Sequence, residues 1–242
     1  MVIKVILLGL LVLSNVFAGE LIDQNLRFRA LYSLDQEEVL SEDILYELSM
    51  ENAANEADNP SDWFSGKGFE SKFAEKVSLS FDNGGITFET RRSAIAVWGK
   101  KQNVAGANRV RIVWGVTKYP YGANYEKRKA HAAINLNVAF GTKTYSSGSP
   151  FVPAAPYFFS LFPGKSEPLG KFYVHKYWSK TSRHVCVSSG ADTKEIITTE
   201  FDLKKNFKMV WGGDMPDVSG FLIAINSNKK SGAFIQKIQF LK

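Results

Sequence analysis

The 242-residue sequence predicts a mainly β protein: an antiparallel β-sandwich of roughly eight to ten strands, preceded by a short helical N-terminal arm. Two observations favour the sandwich. Beyond Trp63, short runs alternate apolar with polar residues, and clusters of Gly, Pro, Ser and Asn separate the runs. In the same region only residues 203–209 offer a possible turn of helix, which argues against a parallel α/β sheet.

The first eighteen residues have the pattern of a secretory signal peptide. Lys4 precedes an apolar run over residues 5–13, and Val16-Phe17-Ala18 places small or β-branched residues at the −3 and −1 positions of a cleavage site. An uncleaved membrane anchor is the alternative, but the run of about nine residues is short for a bilayer span, which needs about twenty. We therefore expect cleavage near Ala18, a periplasmic or secreted mature chain, and no stable membrane insertion.

Residues 19–62 are expected to form an acidic helical arm followed by a linker. Ser33 and Gln36 have capping-box spacing. Apolar residues recur at helical intervals at Leu40, Ile44, Leu45 and Leu48. This apolar stripe needs a partner surface, either the main domain or another protein, because a lone amphipathic helix of this length is marginal in water. The composition of residues 52–62, rich in Asn, Ala, Asp, Pro and Ser, is typical of a linker.

Charge divides the expected mature chain into two parts. Residues 20–60 hold eleven acidic residues and two arginines, whereas residues 61–242 hold twenty-seven basic and thirteen acidic residues. The acidic arm could fold back on the basic body and keep it from anionic polymers, or both could simply be solvated surfaces. Export argues against nucleic acid as a partner, so we expect the basic body to meet anionic lipid headgroups or acidic polysaccharide.

The β domain, residues 63–242, begins with a hairpin signal. Residues 77–81 and 86–90 alternate, and the sequence between them, Asp82-Asn83-Gly84-Gly85, is typical of a tight turn. Further strands are predicted at residues 93–98, 109–116, 132–140, 157–161, 171–178, 183–188, 219–226 and 233–241. Residues 146–168, with five prolines, are expected to form a long loop that crosses the sandwich as a lid or a partner-docking surface.

Alternation assigns faces to several of these strands. The residues predicted to face the core are Val110, Ile112, Trp114 and Val116 in one strand and Ile134, Leu136, Val138 and Phe140 in another. Arg109, Arg111, Asn135 and Asn137 are predicted to face outward. The final run, residues 233–241, mixes both parities and could close a sheet edge.

The region from about residue 70 to residue 242 resembles a family of exported bacterial proteins of unknown function. The motifs that carry the resemblance are Trp114-Gly115-Val116, the turn Tyr119-Pro120-Tyr121-Gly122-Ala123-Asn124, the strand 134–140 followed by Gly141, and closing segments at residues 184–190, 201–211, 218–225 and 234–240. The resemblance implies a jelly-roll-like sandwich, similar in shape to carbohydrate-binding modules. Likeness at the level of the fold does not specify a ligand.

The sequence departs from that family at two positions. It carries Asn124 where the family favours Asp, and residues 226–230, Asn-Ser-Asn-Lys-Lys, where the family favours an acidic turn. If the acidic turn holds a cation in relatives, we expect this chain to have lost it, because amides and lysines are poor ligands for a hard cation.

Known catalytic motifs are missing from the sequence, which has no Gly-x-Ser-x-Gly, no His-Glu-x-x-His, no phosphate-binding loop and no dinucleotide fingerprint. His184 and Cys186 lie two residues apart on a predicted strand, so they face the same way and could supply a thiol and a base, or two metal ligands. Two ligands do not complete a zinc site, and a lone core cysteine is usually an inert small hydrophobe. Asp214 and Asp217 are explained by a turn at Pro216. We predict no catalytic residue, metal site or cofactor.

Aromatic and polar residues support a ligand-binding prediction, because rings supply stacking area while amides and a guanidinium direct hydrogen bonds. The predicted ligand-binding residues are Tyr119, Tyr121, Asn124, Tyr125 and Arg128 in one loop, and Tyr173, His175 and Tyr177 on one face of a predicted strand. On that strand Phe172, Val174 and Trp178 face the other way, so one set is displayed unless both faces are buried. Ordinary core packing is the alternative in both places.

The sequence therefore predicts an exported, non-catalytic binding protein for a glycan or another cell-envelope polymer. The alternative is a structural or assembly protein that docks an envelope protein through residues 19–60. An enzyme of unspecified class comes third, and it would be favoured by a pocket that brings His175 or His184 against a carboxylate.

Overall fold

Thirteen strands pair into two sheets in the part of the chain that the structure, a computed structural model, describes: residues 44–175 and 177–242. The predicted signal peptide and most of the predicted acidic arm lie outside these ranges. The chain divides into Met1–Ile44 and Leu45–Lys242, and the second unit contains the sandwich. The strands are β1 Ile44–Ser49, β2 Glu70–Lys72, β3 Ser78–Asp82, β4 Gly85–Thr90, β5 Ala94–Val104, β6 Arg109–Lys118, β7 Ala132–Tyr145, β8 Ala155–Gly164, β9 Phe172–Tyr173, β10 Ser182–Ser189, β11 Ile197–Asp202, β12 Val218–Ser227 and β13 Ser231–Leu241.

The two sheets confirm the predicted sandwich. One has the order β11-β6-β13-β4-β3, with β1 also paired to β13, and the other has the order β2-β5-β12-β7-β8-β10-β9. Neighbours such as β6–β13 and β7–β12 are antiparallel, as predicted, but β8 and β10 run parallel. The strand number exceeds the predicted roughly eight to ten because β1, β2 and β11 are additional to the predicted strands.

The hairpin at the start of the domain is confirmed. β3 and β4 pair in antiparallel register with Asp82 opposite Gly85. Asn83 and Gly84 between them both have positive φ, 55° and 69°. Two left-handed residues in a two-residue loop match the twist of the flanking strands, which is why this sequence forms a tight turn.

The predicted inward faces of β6 and β7 are also confirmed. All eight predicted core residues are buried, and they belong to one hydrophobic core. On the outer side of β6, Arg109 and Arg111 each pair with Glu200 on β11, at 2.8 Å. Asn135 lies on the outer face of its sheet, as predicted, but it is only 4% exposed. Ser160 on β8 covers it there and donates to its Oδ1 (3.5 Å).

β13 does not close a sheet edge, as its mixed parity suggested, but lies inside its sheet. β6 pairs with it along residues 232–241 on one side, and β4 pairs with it as far as Ile235 on the other. The mixed parity has a local cause: the register with β6 shifts between Ile235 and Lys237. Such a bulge moves later residues to the opposite face, so Ile235 and Ile238 both reach the core.

Residues 44–49 form a strand and not the predicted helix. Their exposure alternates, with Leu48 buried and Leu45 exposed, and the ring of Tyr46 packs 5.9 Å from that of Phe221. Beyond Ile235 the β4 side of β13 is open, and Met50 N donates to Gln236 O there (2.7 Å). The unpaired backbone groups of β13 at this edge can form hydrogen bonds with residues 44–49. These bonds favour a strand more strongly than the helical spacing of the apolar residues favours a helix.

The predicted linker at residues 52–62 is also structured. It contains α1, Ala53–Glu56, and the start of α2, Pro60–Gly66, and a third helix, α3, follows β11 at Leu203–Trp211. The Asn59 side chain caps α2 by accepting from Asp62 N (3.0 Å). Pro60, Trp63 and Phe64 are buried, so α2 belongs to the core rather than to a flexible connection.

The predicted long loop at residues 146–168 contains β8, which is buried from Phe159 to Gly164. Pro163 lacks a backbone N–H and cannot donate to the neighbouring strand. It is tolerated in β8 because the pairing of β8 with β10 is irregular at this point, with a register shift between Cys186 and Ser188. The strand predicted at residues 157–161 is therefore confirmed, whereas the expectation of a loop over all of residues 146–168 is wrong. No helix within the described ranges is long and apolar enough to cross a membrane.

The sheet and a neighbouring loop pack closely around Gly115 on β6, so a larger residue at this position should destabilise the protein. A β-carbon there would collide with the Phe234 ring and the carbonyl oxygen of Glu195. We expect Gly115→Ala to lower the free energy of unfolding by about 1–3 kcal/mol, measured by chemical denaturation. At Gly66, at the end of α2, a β-carbon meets no atom within 4 Å, so Gly66→Ala is the control and should stabilise by up to about 1 kcal/mol. Equal effects of the two substitutions would contradict the packing.

Candidate functional site

A pocket of about 960 Å³, which we call the end pocket, opens where several turns meet at one end of the sandwich. Its walls come from the β4–β5 turn, the β6–β7 loop, the residues after β8, and the β12–β13 turn. Sheet register brings these turns together, since Thr90 lies opposite Ser231, Lys118 opposite Gly232, and Ser227 opposite Ala94. The lining residues are Arg91, Arg92, Ser93, Lys118, Tyr119, Pro120, Tyr121, Gly122, Ala123, Lys165, Ser166, Asn228, Lys229 and Lys230.

Two tyrosines supply the aromatic surface of the end pocket. Tyr121 is 71% exposed, and Lys229 Nζ lies 4.4 Å from the centre of its ring. Tyr119 is half-buried, and its hydroxyl donates to the carbonyl oxygen of Ala191 (3.2 Å). Burial, reinforced by the nearby Cys186, Glu167, Glu195 and Asp192, raises the pKa of Tyr119 to about 12. The hydroxyl therefore stays protonated at neutral pH.

Six cations line the end pocket, and its described lining residues include no carboxylate. They are Arg91, Arg92, Lys118, Lys165, Lys229 and Lys230. None of the six forms an ion pair with another residue of the described ranges, whereas several cations elsewhere on the sandwich do pair with glutamates: Lys67, Arg109, Arg111, Lys171 and Lys237. The end pocket is therefore a concentrated region of positive potential.

Hydrogen bonds hold the walls of the end pocket in place. Asn228 Nδ2 donates to Tyr121 O (3.0 Å), and Thr90 Oγ1 donates to Lys229 O (2.9 Å). The buried Glu167 carboxylate accepts from Tyr125 N (3.0 Å) and from Ser166 N (3.1 Å), which joins two walls. Asn228 Oδ1, by contrast, is buried and has no donor among the described residues.

The structure separates the predicted residues of the Tyr119 loop. Tyr119 and Tyr121 line the end pocket, whereas Asn124 serves the loop itself, because its side chain accepts from Lys127 N (2.9 Å) at a short 3-10 turn. Tyr125 is 6% exposed and stacks on Phe162 with ring centres 4.2 Å apart, and burial raises the pKa of its hydroxyl. Arg128 has a left-handed backbone, with φ of 57°, and an exposed side chain outside the end pocket.

Tyr173, His175 and Tyr177 do not share a strand face, because β9 ends at Tyr173 and the predicted strand 171–178 does not continue. The Tyr173 hydroxyl donates to the Glu126 carboxylate, whose other oxygen pairs with Lys171 Nζ (2.8 Å). Tyr177 N donates to His175 Nδ1 (3.0 Å). The positive φ of Trp178, 53°, shows that the chain turns here. These residues therefore form a separate cluster beside His184, not part of the end pocket.

His184 and Cys186 lie on β10, and neither is set up for nucleophilic chemistry. The buried Cys186 thiol donates to Ser188 O (3.1 Å), and burial raises its pKa to about 11, so it stays protonated at neutral pH. The His184 ring lies 5.3 Å from that of His175. Within residues 44–175 and 177–242 no group of three or more His, Cys, Asp and Glu residues could hold a metal ion.

The six pocket cations were not among the predicted ligand-binding residues. A signal for them exists, because Arg91-Arg92 and Lys229-Lys230 are basic doublets, each located in a turn between consecutive strands. The second doublet belongs to the turn expected to have lost an acidic cation site. In the structure this turn lines a pocket with positive charge.

Comparison with known proteins shows that the fold of this chain resembles those of several solved structures. The solved structures similar to the chain include carbohydrate-binding modules. A family 29 module from Piromyces equi is 7% identical, with a TM-score of 0.31, over 71% of this chain and 79% of the module. A low-affinity xylan-binding module of family 86 from Roseburia intestinalis is 11% identical, with a TM-score of 0.28, over 72% of this chain and 96% of the module. A xylan-binding module of family 15 is 9% identical, with a TM-score of 0.34, over 82% and 96%.

No family model and no curated protein matches the sequence. At these identities and TM-scores the modules do not bear on the site or its ligand. The description of the fold as a β-sandwich rests on the strand pairing itself.

The environment of His184 predicts a loss of stability in acid. Its Nδ1 is buried without a partner among the described residues, and burial, followed by the nearby His175, lowers its pKa from 6.5 to about 3. The unfolded chain therefore binds one more proton than the folded chain between these pH values. The free energy of unfolding should fall as the pH falls through this range, with a contribution from His184 of up to about 1.4 kcal/mol per pH unit.

Urea unfolding of the protein and of His184→Gln at a series of pH values between 7 and 3.5 tests this. The difference between the two curves isolates the titration of His184 from that of the carboxylates. We expect the variant to lose less stability than the unmodified protein as the pH falls. Parallel curves would show that His184 does not carry the effect.

Proposed function

We propose that the protein binds a glycan or another cell-envelope polymer in the end pocket and does not alter it. The observation that carries this proposal is the combination, in one concave site, of two tyrosine rings, an amide and six cations. Its volume of about 960 Å³ lies within the usual size of small-ligand sites, about 300–1,000 Å³. Export, predicted from the first eighteen residues, would bring the protein to such polymers.

The chemistry of a sugar suits these side chains. A pyranose ring presents an apolar face that can stack on an exposed aromatic ring such as Tyr121. Its hydroxyls can both donate and accept hydrogen bonds, so they can pair with the polar and charged side chains that line the end pocket. Stacking would supply contact area, and the polar groups would orient the ligand.

The lining residues support binding without cleavage. Glycoside hydrolysis usually needs two carboxyl groups flanking the scissile bond, and the described lining residues include no Asp, Glu, His or Cys. His175 and His184 lie in the separate cluster. The geometry thus favours a binding role over the enzyme that the sequence left open.

The alternative of docking a partner protein through residues 19–60 receives no such support from residues 44–60. In this stretch Leu48, Met50, Ala53 and Pro60 are buried by the protein itself. Their apolar surface is already used within the protein.

Tyr121→Ala should weaken binding to a retained polysaccharide about two- to tenfold, since it removes one aromatic contact worth about 0.5–1.5 kcal/mol. The matched control is Phe73→Ala, which removes another exposed aromatic ring beside a lysine, Lys76, outside the end pocket. Affinity electrophoresis and calorimetry on a panel of neutral and acidic polysaccharides provide the measurement. Retention on none of the polymers, or equal effects of the two substitutions, would overturn the proposal.

A further inference from the structure

We propose that the polymer bound in the end pocket is an anionic glycan, and that the doublets Arg91-Arg92 and Lys229-Lys230 contact its carboxylate or sulfate groups. This inference rests on the proposed function and adds the chemical class of the ligand. Neither doublet was among the predicted ligand-binding residues.

The first support is the distribution of charge. Several cations elsewhere on the sandwich pair with glutamates, as Arg109 and Arg111 do with Glu200. The pocket cations have no such partner among the described residues, and they converge on one concavity from four separate stretches of chain. Like charges held close together repel each other, and an anionic ligand would offset that repulsion.

The second support is the placement of the doublets relative to each other. Thr90, directly before Arg91-Arg92, donates through Oγ1 to Lys229 O (2.9 Å) and shares a hydrogen bond with Ser231 Oγ (3.0 Å). Ser227 Oγ also donates to Lys229 O (2.6 Å). Both doublets are therefore carried on turns that are bound to one another. Such a preformed arrangement reduces the entropy lost when a ligand binds.

The third support links charge to the aromatic surface. Lys229 Nζ lies 4.4 Å from the Tyr121 ring centre, and Asn228 Nδ2 donates to Tyr121 O (3.0 Å). A sugar stacked on Tyr121 would hold its acidic substituent within reach of the lysine doublet. Arginine can bind a carboxylate or sulfate through two parallel hydrogen bonds, so Arg91-Arg92 suits either group.

Negative groups do occur close to the end pocket, but they do not line it. Asp192, Glu195 and Glu167 act on the hydroxyl of Tyr119, and Glu167 is buried and engaged with backbone N–H groups. The two doublets and the ring of Tyr121 differ from Glu167 in that all five side chains are exposed to solvent. A concave site suits a glycan better than the flat surface of a lipid bilayer.

Binding to matched polymers tests the charge requirement. Polygalacturonate and its methyl ester share a backbone and differ in the carboxylate, and dextran sulfate and dextran differ in the sulfate. We expect at least one anionic polymer to bind about tenfold or more tightly than its neutral counterpart. Preference for polygalacturonate assigns carboxylate recognition, and preference for dextran sulfate assigns sulfate recognition.

Variants that each remove two positive charges test which cations contact the polymer. Arg91→Gln with Arg92→Gln, and Lys229→Gln with Lys230→Gln, should each weaken anionic-polymer binding about tenfold, because each pair of substitutions removes two positive charges that contact the acidic groups of the ligand. Lys204→Gln with Lys205→Gln removes the same charge from two adjacent exposed lysines on α3, outside the end pocket. This control should weaken binding less than about twofold.

Four results would overturn the inference. The first result is that neutral polymers bind as tightly as their anionic counterparts and that Tyr121→Ala weakens this binding. The proposed function would then hold, but the ligand would not need a negative charge. Equal weakening by the α3 control would show a general effect of net charge. Preferential binding to phosphatidylglycerol vesicles over every polymer would assign the cations to a membrane. Retention on none of the four polymers would overturn both the inference and the proposed function.

Discussion

The architecture depends on the pairing of β13 along both of its edges. β6 covers one edge through residues 232–241, while β4 and then β1 share the other. Because these neighbours take up its peptide groups, β13 can be buried along nearly its whole length and can carry Ile235, Ile238 and Phe240 into the core. A strand held in this way is a fixed support for the turn that precedes it, and that turn carries Lys229 and Lys230.

The end pocket illustrates how a rigid sandwich can position side chains that come from turns. The β4–β5 and β12–β13 turns are joined through Thr90 and Lys229, and Asn228 ties the second turn to the Tyr121 loop. Glu167 anchors the same loop from the side of β8 by accepting from Tyr125 N. Burial of this carboxylate serves structure, whereas the exposed cations around the pocket have no ion-pair partner among the described residues. The site thus combines a hydrogen-bonded frame with unneutralised charge.

Local pattern predicted some elements well. The β3–β4 hairpin and the inward residues of β6 and β7 follow from alternation and from the backbone freedom of Asn83 and Gly84. β1 was read as a helix because its leucines also fit helical spacing, and the decisive factor was the open edge of β13. Of the predicted site, Tyr119 and Tyr121 meet in the end pocket, while Tyr125 from the same loop packs on Phe162. Nothing in the loop sequence distinguishes a tyrosine that Phe162 covers from one that solvent reaches.

The sequence by itself determined the secondary-structure class of the domain, the faces of its regular strands and its surplus of positive charge, because these depend on residue type and spacing alone. Only the tertiary structure decided where that charge is concentrated. Arg91, Lys118, Lys165 and Lys229 are far apart along the chain, and they meet because strand order and register bring four turns to one end. Strand order arises from contacts between distant segments, and no local pattern encodes it.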